Sequence, residues 1–195
     1  MAESAISRSH PLDTMLAVSN VIRNDRLAQL YARALELDSP TVEELSEGIE
    51  SSTTTIYEDV KHLVEIDLLE RVTETQPYRY RASQVDMTIQ ASGETFQITP
   101  TLLVALAERQ SNENIGLYID RNGVSGLATA IEYARAYTQS QMNARIMARE
   151  QDISVLEAET ILQELHEIIL EAEPDISTSV DIEELDATID ERLDE

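Results

Sequence analysis

The side chains best equipped for chemistry fall into two neighbouring groups. Ser52, Thr53, Thr54, Thr55, Tyr57, Lys61 and His62 form one, and Arg71, Tyr78, Arg79 and Arg81 form the other. Their chemistry is hydrogen bonding to anions and base edges. Ser and Thr hydroxyls bond phosphate oxygens or base edges, a Thr methyl packs against thymine, and a guanidinium suits backbone phosphate or the minor groove. Nothing comparable supports catalysis. His10, His62 and His166 lie far apart and there is no Cys, so neither a thiolate nucleophile nor a zinc set is expected. Gly123-Val124-Ser125-Gly126 opens a helix, but its spacing is neither a P-loop nor a dinucleotide fingerprint and reads as an ordinary turn. Acid pairs such as Glu43-Glu44 and Glu183-Glu184 stand among 38 acidic residues and read as solvated surface. No enzyme, metal or cofactor is expected.

The elements that must carry these groups are legible from spacing. From Asp13 to Leu37 apolar residues recur at three and four, giving helical structure with a break near Asn24-Asp25. Thr41-Val42-Glu43-Glu44 has the capping-box form and opens a short helix, and Gly48 to Ser52 supplies a turn. A second helix starts at Ser51 or Ser52 and buries Ile56, Val60, Leu63 and Val64. Two short helices with a tight turn form a helix-turn-helix. Residues 68–73 and 78–82 then read as strands, and a hairpin directly after the second helix makes a winged helix. The face of the second helix opposite its core carries Thr53, Thr54, Tyr57, Glu58 and Lys61, with Thr55 and His62 at the borders. Strand alternation puts Tyr78 and Tyr80 on one side of the wing and Arg79 and Arg81 on the other. The plainer readings are a capped helix start and a solvated strand face.

Beyond the wing, residues 87–90 and 95–98 predict a second hairpin, and Thr99-Pro100 predicts a capped helix to about Arg109. Residues 114–119 read as a strand, 120–123 as a turn, and Val124 onward as a helix. Ser154-Val155-Leu156-Glu157 is another capping box. Behind it Val155, Leu162, Leu165 and Ile169 lie on a heptad-like seam, read as a dimer contact with intrachain packing as the alternative. The expected organisation is a flexible arm (1–13), a winged helix-turn-helix (14–85), a mostly helical C-terminal domain for dimerisation or regulation (86–173) and an acidic tail (174–195). The fold class is mainly α with small β hairpins, an α+β arrangement.

Charge bears on partners. The 195 residues hold 38 acids and 14 bases, for a net charge of −24, and of the bases only Lys61 is a lysine. With 42% apolar residues the chain is expected to fold rather than remain disordered. Acid-rich, lysine-poor composition suits a salt-in halophile, where about 1 M salt screens repulsion within roughly 3 Å. Residues 20–82 carry seven cations against thirteen anions, a weak footprint for nucleic acid, but residues 71–81 hold three cations and one anion. Residues 150–195 carry seventeen acids and one Arg, two thirds of the net charge. No apolar run approaches a membrane span and no signal-peptide core is present, so a cytoplasmic location is expected.

The stretch Thr41-Val42-Glu43-Glu44-Leu45 through Ser52-Thr53-Thr54-Thr55-Ile56-Tyr57-Glu58-Asp59-Val60, ending in Leu68-Leu69-Glu70, resembles the winged helix-turn-helix of archaeal transcription regulators of the ArsR and TrmB-like group. Residues 98–102, 117–124, 143–150 and 156–159 resemble a haloarchaeal family of predicted regulators whose C-terminal domain has no assigned function. The resemblance implies a haloarchaeal DNA-binding regulator and leaves any effector unassigned. Two features depart from the pattern. Asp67 stands where many winged helices have Gly, and Glu58 and Asp59 stand where basic residues would help. The expected function is transcription regulation by a homodimer on double-stranded DNA, with the helix at about 52–64 in the major groove and the wing at 71–82 on the backbone or minor groove. The alternative is a winged helix that contacts transcription machinery or another regulator without binding DNA.

Overall fold

The computed structural model describes residues 11–91, 94–173 and 176. The chain divides into two compact units, Met1–Leu117 and Tyr118–Glu195. It is mainly α with small antiparallel hairpins, as the sequence predicts.

In the first unit α1 (Pro11–Arg23) and α2 (Asp25–Glu36) are separate helices. Asn24 leaves helical backbone between them, and its side chain accepts from the Arg26 amide at 3.2 Å, which caps α2. The break thus falls where expected, and α1 begins at Pro11, so residues 11–13 of the predicted arm are helical. Residues 1–10 lie outside the described residues.

Helix α3 (Val42–Ser46) opens with a reciprocal cap: the Glu44 amide donates to Thr41 Oγ1 and the Thr41 amide donates to Glu44 Oε2 at 2.7 Å. Gly48, at φ 80°, supplies the turn that only glycine adopts freely. Ser52 then caps α4 (Thr53–Glu65), its hydroxyl accepting from the Thr55 amide at 3.2 Å. Beyond α4 the chain reverses at Asp67, whose φ of 60° is left-handed. Asp tolerates that conformation better than most residues, so the turn forms without the usual Gly.

The wing strands β1 (Leu69–Arg71) and β2 (Tyr80–Ala82) pair antiparallel, Leu69 opposite Ala82 and Arg71 opposite Tyr80. They are shorter than predicted, although the Val72 amide still donates to the Arg79 carbonyl at 2.9 Å. The outer edge of β2 is also engaged. The Tyr80 amide donates to the Pro40 carbonyl at 2.9 Å and Arg79 forms a β-bridge with Thr41, so the chain entering α3 acts as a third, minimal strand.

Helix α2 is the hub, packing against α1, α3, α4 and β2. Its Leu30 and Tyr31 are fully buried, and the Tyr31 hydroxyl donates to the Ser83 carbonyl at 2.7 Å. The second hairpin, β3 (Met87–Ala91) with β4 (Glu94–Ile98), forms as predicted. So does α5 (Pro100–Ala107), capped by Thr99, although it ends short of Arg109. Because α5 packs against both α2 and α1, this unit runs through Leu117 instead of ending at 85.

Residues 114–119 are a correction: they are helical, within α6 (Glu113–Thr138). Asn112 Oδ1 accepts from the amides of Asn114 and Ile115 at 3.0 and 3.2 Å, and Ile115, Tyr118 and Ile119 bury at helical spacing. A short apolar run does not by itself distinguish strand from helix. The turn predicted at 120–123 is a break within α6 at Gly123, at φ 72° and ψ 179°.

The second unit continues with α7 (Ala144–Gln151), capped by Asn143, and α8 (Val155–Ala172), capped by Ser154. The predicted dimer seam is also corrected. Leu162, Leu165 and Ile169 are 0% exposed within one chain, and α8 packs against α7. Of the four seam residues Val155 alone is exposed. Seam spacing marks an apolar face without saying what covers it. Among the described residues no helix is long and apolar enough to cross a membrane. The predicted tail, Ile176 apart, lies outside the described residues.

Candidate nucleic-acid interface

Helix α4 divides into two faces by its own periodicity. Ile56, Val60 and Leu63 are buried; Thr53, Thr54, Tyr57, Glu58 and Lys61 are exposed; Thr55 and His62 lie at the border, half-buried. The face predicted from spacing is therefore the exposed one. Ser52 and Thr55 sit beside it with their hydroxyls 2.7 Å apart, and Ser52 also caps the helix, so both serve the helix start. Asp59 does not join this face. Its carboxylate pairs with the Arg26 guanidinium and ties α4 to α2, which removes one of the two acids expected to oppose phosphate. Lys61 lies 3.4 Å from Glu65, both well exposed, an i,i+4 pair that holds the ammonium weakly.

On the wing Tyr78 lies before β2, so strand alternation applies to Tyr80 and Arg81 alone. Tyr80 is buried, while the Arg71 guanidinium lies over the Tyr78 ring at 4.8 Å. That stacking holds an exposed cation on a firm aromatic support. Arg79 points back into the protein: its guanidinium donates to the Ser39 carbonyl at 2.6 Å and lies 3.6 Å from Glu44 Oε2. Arg81, opposite Glu70, is exposed and has no ion pair among the described residues. Of the two arginines expected to act together, one braces the wing against the start of α3 and the other faces solvent.

The sequence reads Glu43 and Glu44 as solvated surface. Both are on the surface, yet both are bonded to groups assigned to the interface. The Tyr57 hydroxyl donates to Glu43 Oε1 at 2.9 Å, and Glu44 accepts from Thr41 and faces Arg79. The Glu43 carboxyl is held below its ordinary value by its own backbone amide and then by Tyr57; Glu44 is held down by the Thr41 amide, then the Thr41 hydroxyl, with Arg79 adding less. The bond to Glu43 in turn pushes the Tyr57 phenol up, and burial does the same to Tyr80. Both carboxyls are therefore anionic at neutral pH. The available signal was the capping box, which places a carboxylate in the first turn of α3.

Residues 109–174 match a family of unknown function, DUF7437. That stretch takes in α6, α7 and α8 and does not reach α3, α4 or the wing. No curated protein and no solved structure matches the chain.

Proposed function

We propose that this protein is a haloarchaeal transcription regulator of the ArsR and TrmB-like kind that binds double-stranded DNA through α4 and the wing. The observation that carries the reading is the uncovered face of α4, with its hydroxyls, Tyr57 and Lys61, in a helix-turn-helix followed by a hairpin. Thr53, Thr54 and Tyr57 meet base edges in the major groove, Lys61 meets phosphate, and Arg71 and Arg81 carry the wing contact. The protein acts as a homodimer in the cytoplasm. Exposed Leu12, Met15 and Leu16 of α1 supply its apolar contact in place of the buried α8 seam.

Few cations are engaged, so binding loses affinity with rising KCl less steeply than a strongly basic repressor does. Arg81→Ala weakens binding to all duplexes alike and lowers the salt slope by about 0.9, the contribution of one phosphate contact. Genome-wide occupancy of the tagged protein, with anisotropy titrations across a KCl series, tests this. Discrete promoter peaks support it, and failure to retain any duplex at any KCl concentration overturns it. Exposed Glu43, Glu44 and Glu58 favour the second reading, a winged helix that docks on another protein, and a stable protein partner captured without DNA would establish it.

A further inference from the structure

We propose that Glu43 and Glu44 hold down the affinity of this interface for every duplex by acting as built-in counter-anions to its own donors. The inference rests on the DNA-binding reading above. The Tyr57 hydroxyl, assigned to DNA, comes from α4, and the Arg79 guanidinium, which braces the wing, stands beside it; both face adjacent carboxylates on α3. Tyr57 donates to Glu43 at 2.9 Å, and Arg79 lies 3.6 Å from Glu44 while donating to the Ser39 carbonyl at 2.6 Å. Glu44 accepts from the Thr41 amide at 2.7 Å and Glu43 accepts from the Tyr57 hydroxyl at 2.9 Å. A phosphate approaching this side meets two negative charges and donors that already have acceptors.

That arrangement penalises every duplex to the same extent, because phosphates carry no sequence. Selectivity is a difference of affinities, so a common penalty leaves it unchanged and lowers the affinity for each duplex. Base contacts from Thr53 and Thr54 then offset the deficit only on a duplex whose sequence supplies them.

Glu43→Gln and Glu44→Gln test this one charge at a time. Gln still accepts a hydrogen bond, and at the third helical position it completes a capping box as Glu does, so each variant keeps the α3 start. Unchanged melting temperatures confirm that each variant is folded. Anisotropy with the full chain is measured on a random-sequence duplex and on a duplex from an occupied promoter, with Glu167→Gln on α8 as the control for net charge. Each test variant binds the random duplex about threefold to fivefold more tightly, as removal of one charge several ångströms from a phosphate requires. The promoter duplex gains by the same factor, so the promoter-to-random ratio is unchanged, and the control matches wild type. Unchanged or weaker random-duplex binding in variants of a protein that does bind its promoter overturns this inference and leaves the DNA-binding reading standing. A gain equal to that of the control overturns it as well. If neither wild type nor variants retain any duplex, the DNA-binding reading falls with it.

Discussion

Asp59 shows how a residue's role turns on its partner. By sequence it is an acid on the proposed recognition helix, a liability beside phosphate; in the structure it is mostly buried and paired with Arg26. Asp59→Asn therefore does not strengthen DNA binding, and it lowers stability by about 1–2 kcal/mol through the loss of a charge-assisted contact between α2 and α4. Urea unfolding alongside a binding titration checks both parts, and tighter binding at unchanged stability would contradict the assignment. Arg79 and Arg81 teach the same lesson. Strand alternation places them on one side, yet Arg79 finds the Ser39 carbonyl and Glu44 within reach and Arg81 does not. Residue type and period locate a side chain on a face. They do not say whether an acceptor from 40 residues away in the chain waits there.

Among the elements, those with a cap written into the sequence form where predicted: α3 behind Thr41, α4 behind Ser52, α5 behind Thr99 and α8 behind Ser154. A cap is a local hydrogen bond between residues two or three apart, so local sequence suffices to find it. The start of α6 reads as a strand because its helix signal is Asn112, two residues before an apolar run short enough to pass for one. Within α6 the decisive residue is Gly123, whose φ of 72° and ψ of 179° are open almost only to glycine. Gly123→Ala is expected to cost about 1–3 kcal/mol, although an added methyl there meets no backbone atom closely. The penalty is conformational strain and not a clash, so Gly123→Ser loses about as much in thermal melts. A variant as stable as wild type would show that α6 straightens through this position.

For the whole molecule, charge and apolar content bear on different questions. The net charge of −24 governs association and solubility and does not choose the fold. The fold rests on apolar packing in each unit, and each unit buries a tyrosine. Burial pushes the Tyr31 phenol well above its ordinary value and that of Tyr118 up to about 12. Their contribution to stability is complete below pH 10, where both states hold the proton, and is lost as pH rises from there through the folded values, because the unfolded chain ionises first. Denaturation midpoints should therefore be flat up to about pH 10 and then fall, at about 1.4 kcal/mol per pH unit for each tyrosine. A midpoint that stays level well above pH 10 would mean that both phenols ionise freely in the native protein.

Short-range periodicity, caps and turn chemistry suffice to read α3 and α4 with the turn between them, both hairpins and the exposed face of α4 from the chain alone. Packing alone makes the α8 seam interior, sets α5 against α2, and joins Glu43 to Tyr57, Glu44 to Arg79 and Asp59 to Arg26. Those facts depend on which surfaces meet. An apolar stripe or a lone charge carries the same spacing whether its partner is solvent, another helix or a second molecule, and only packing chooses among them.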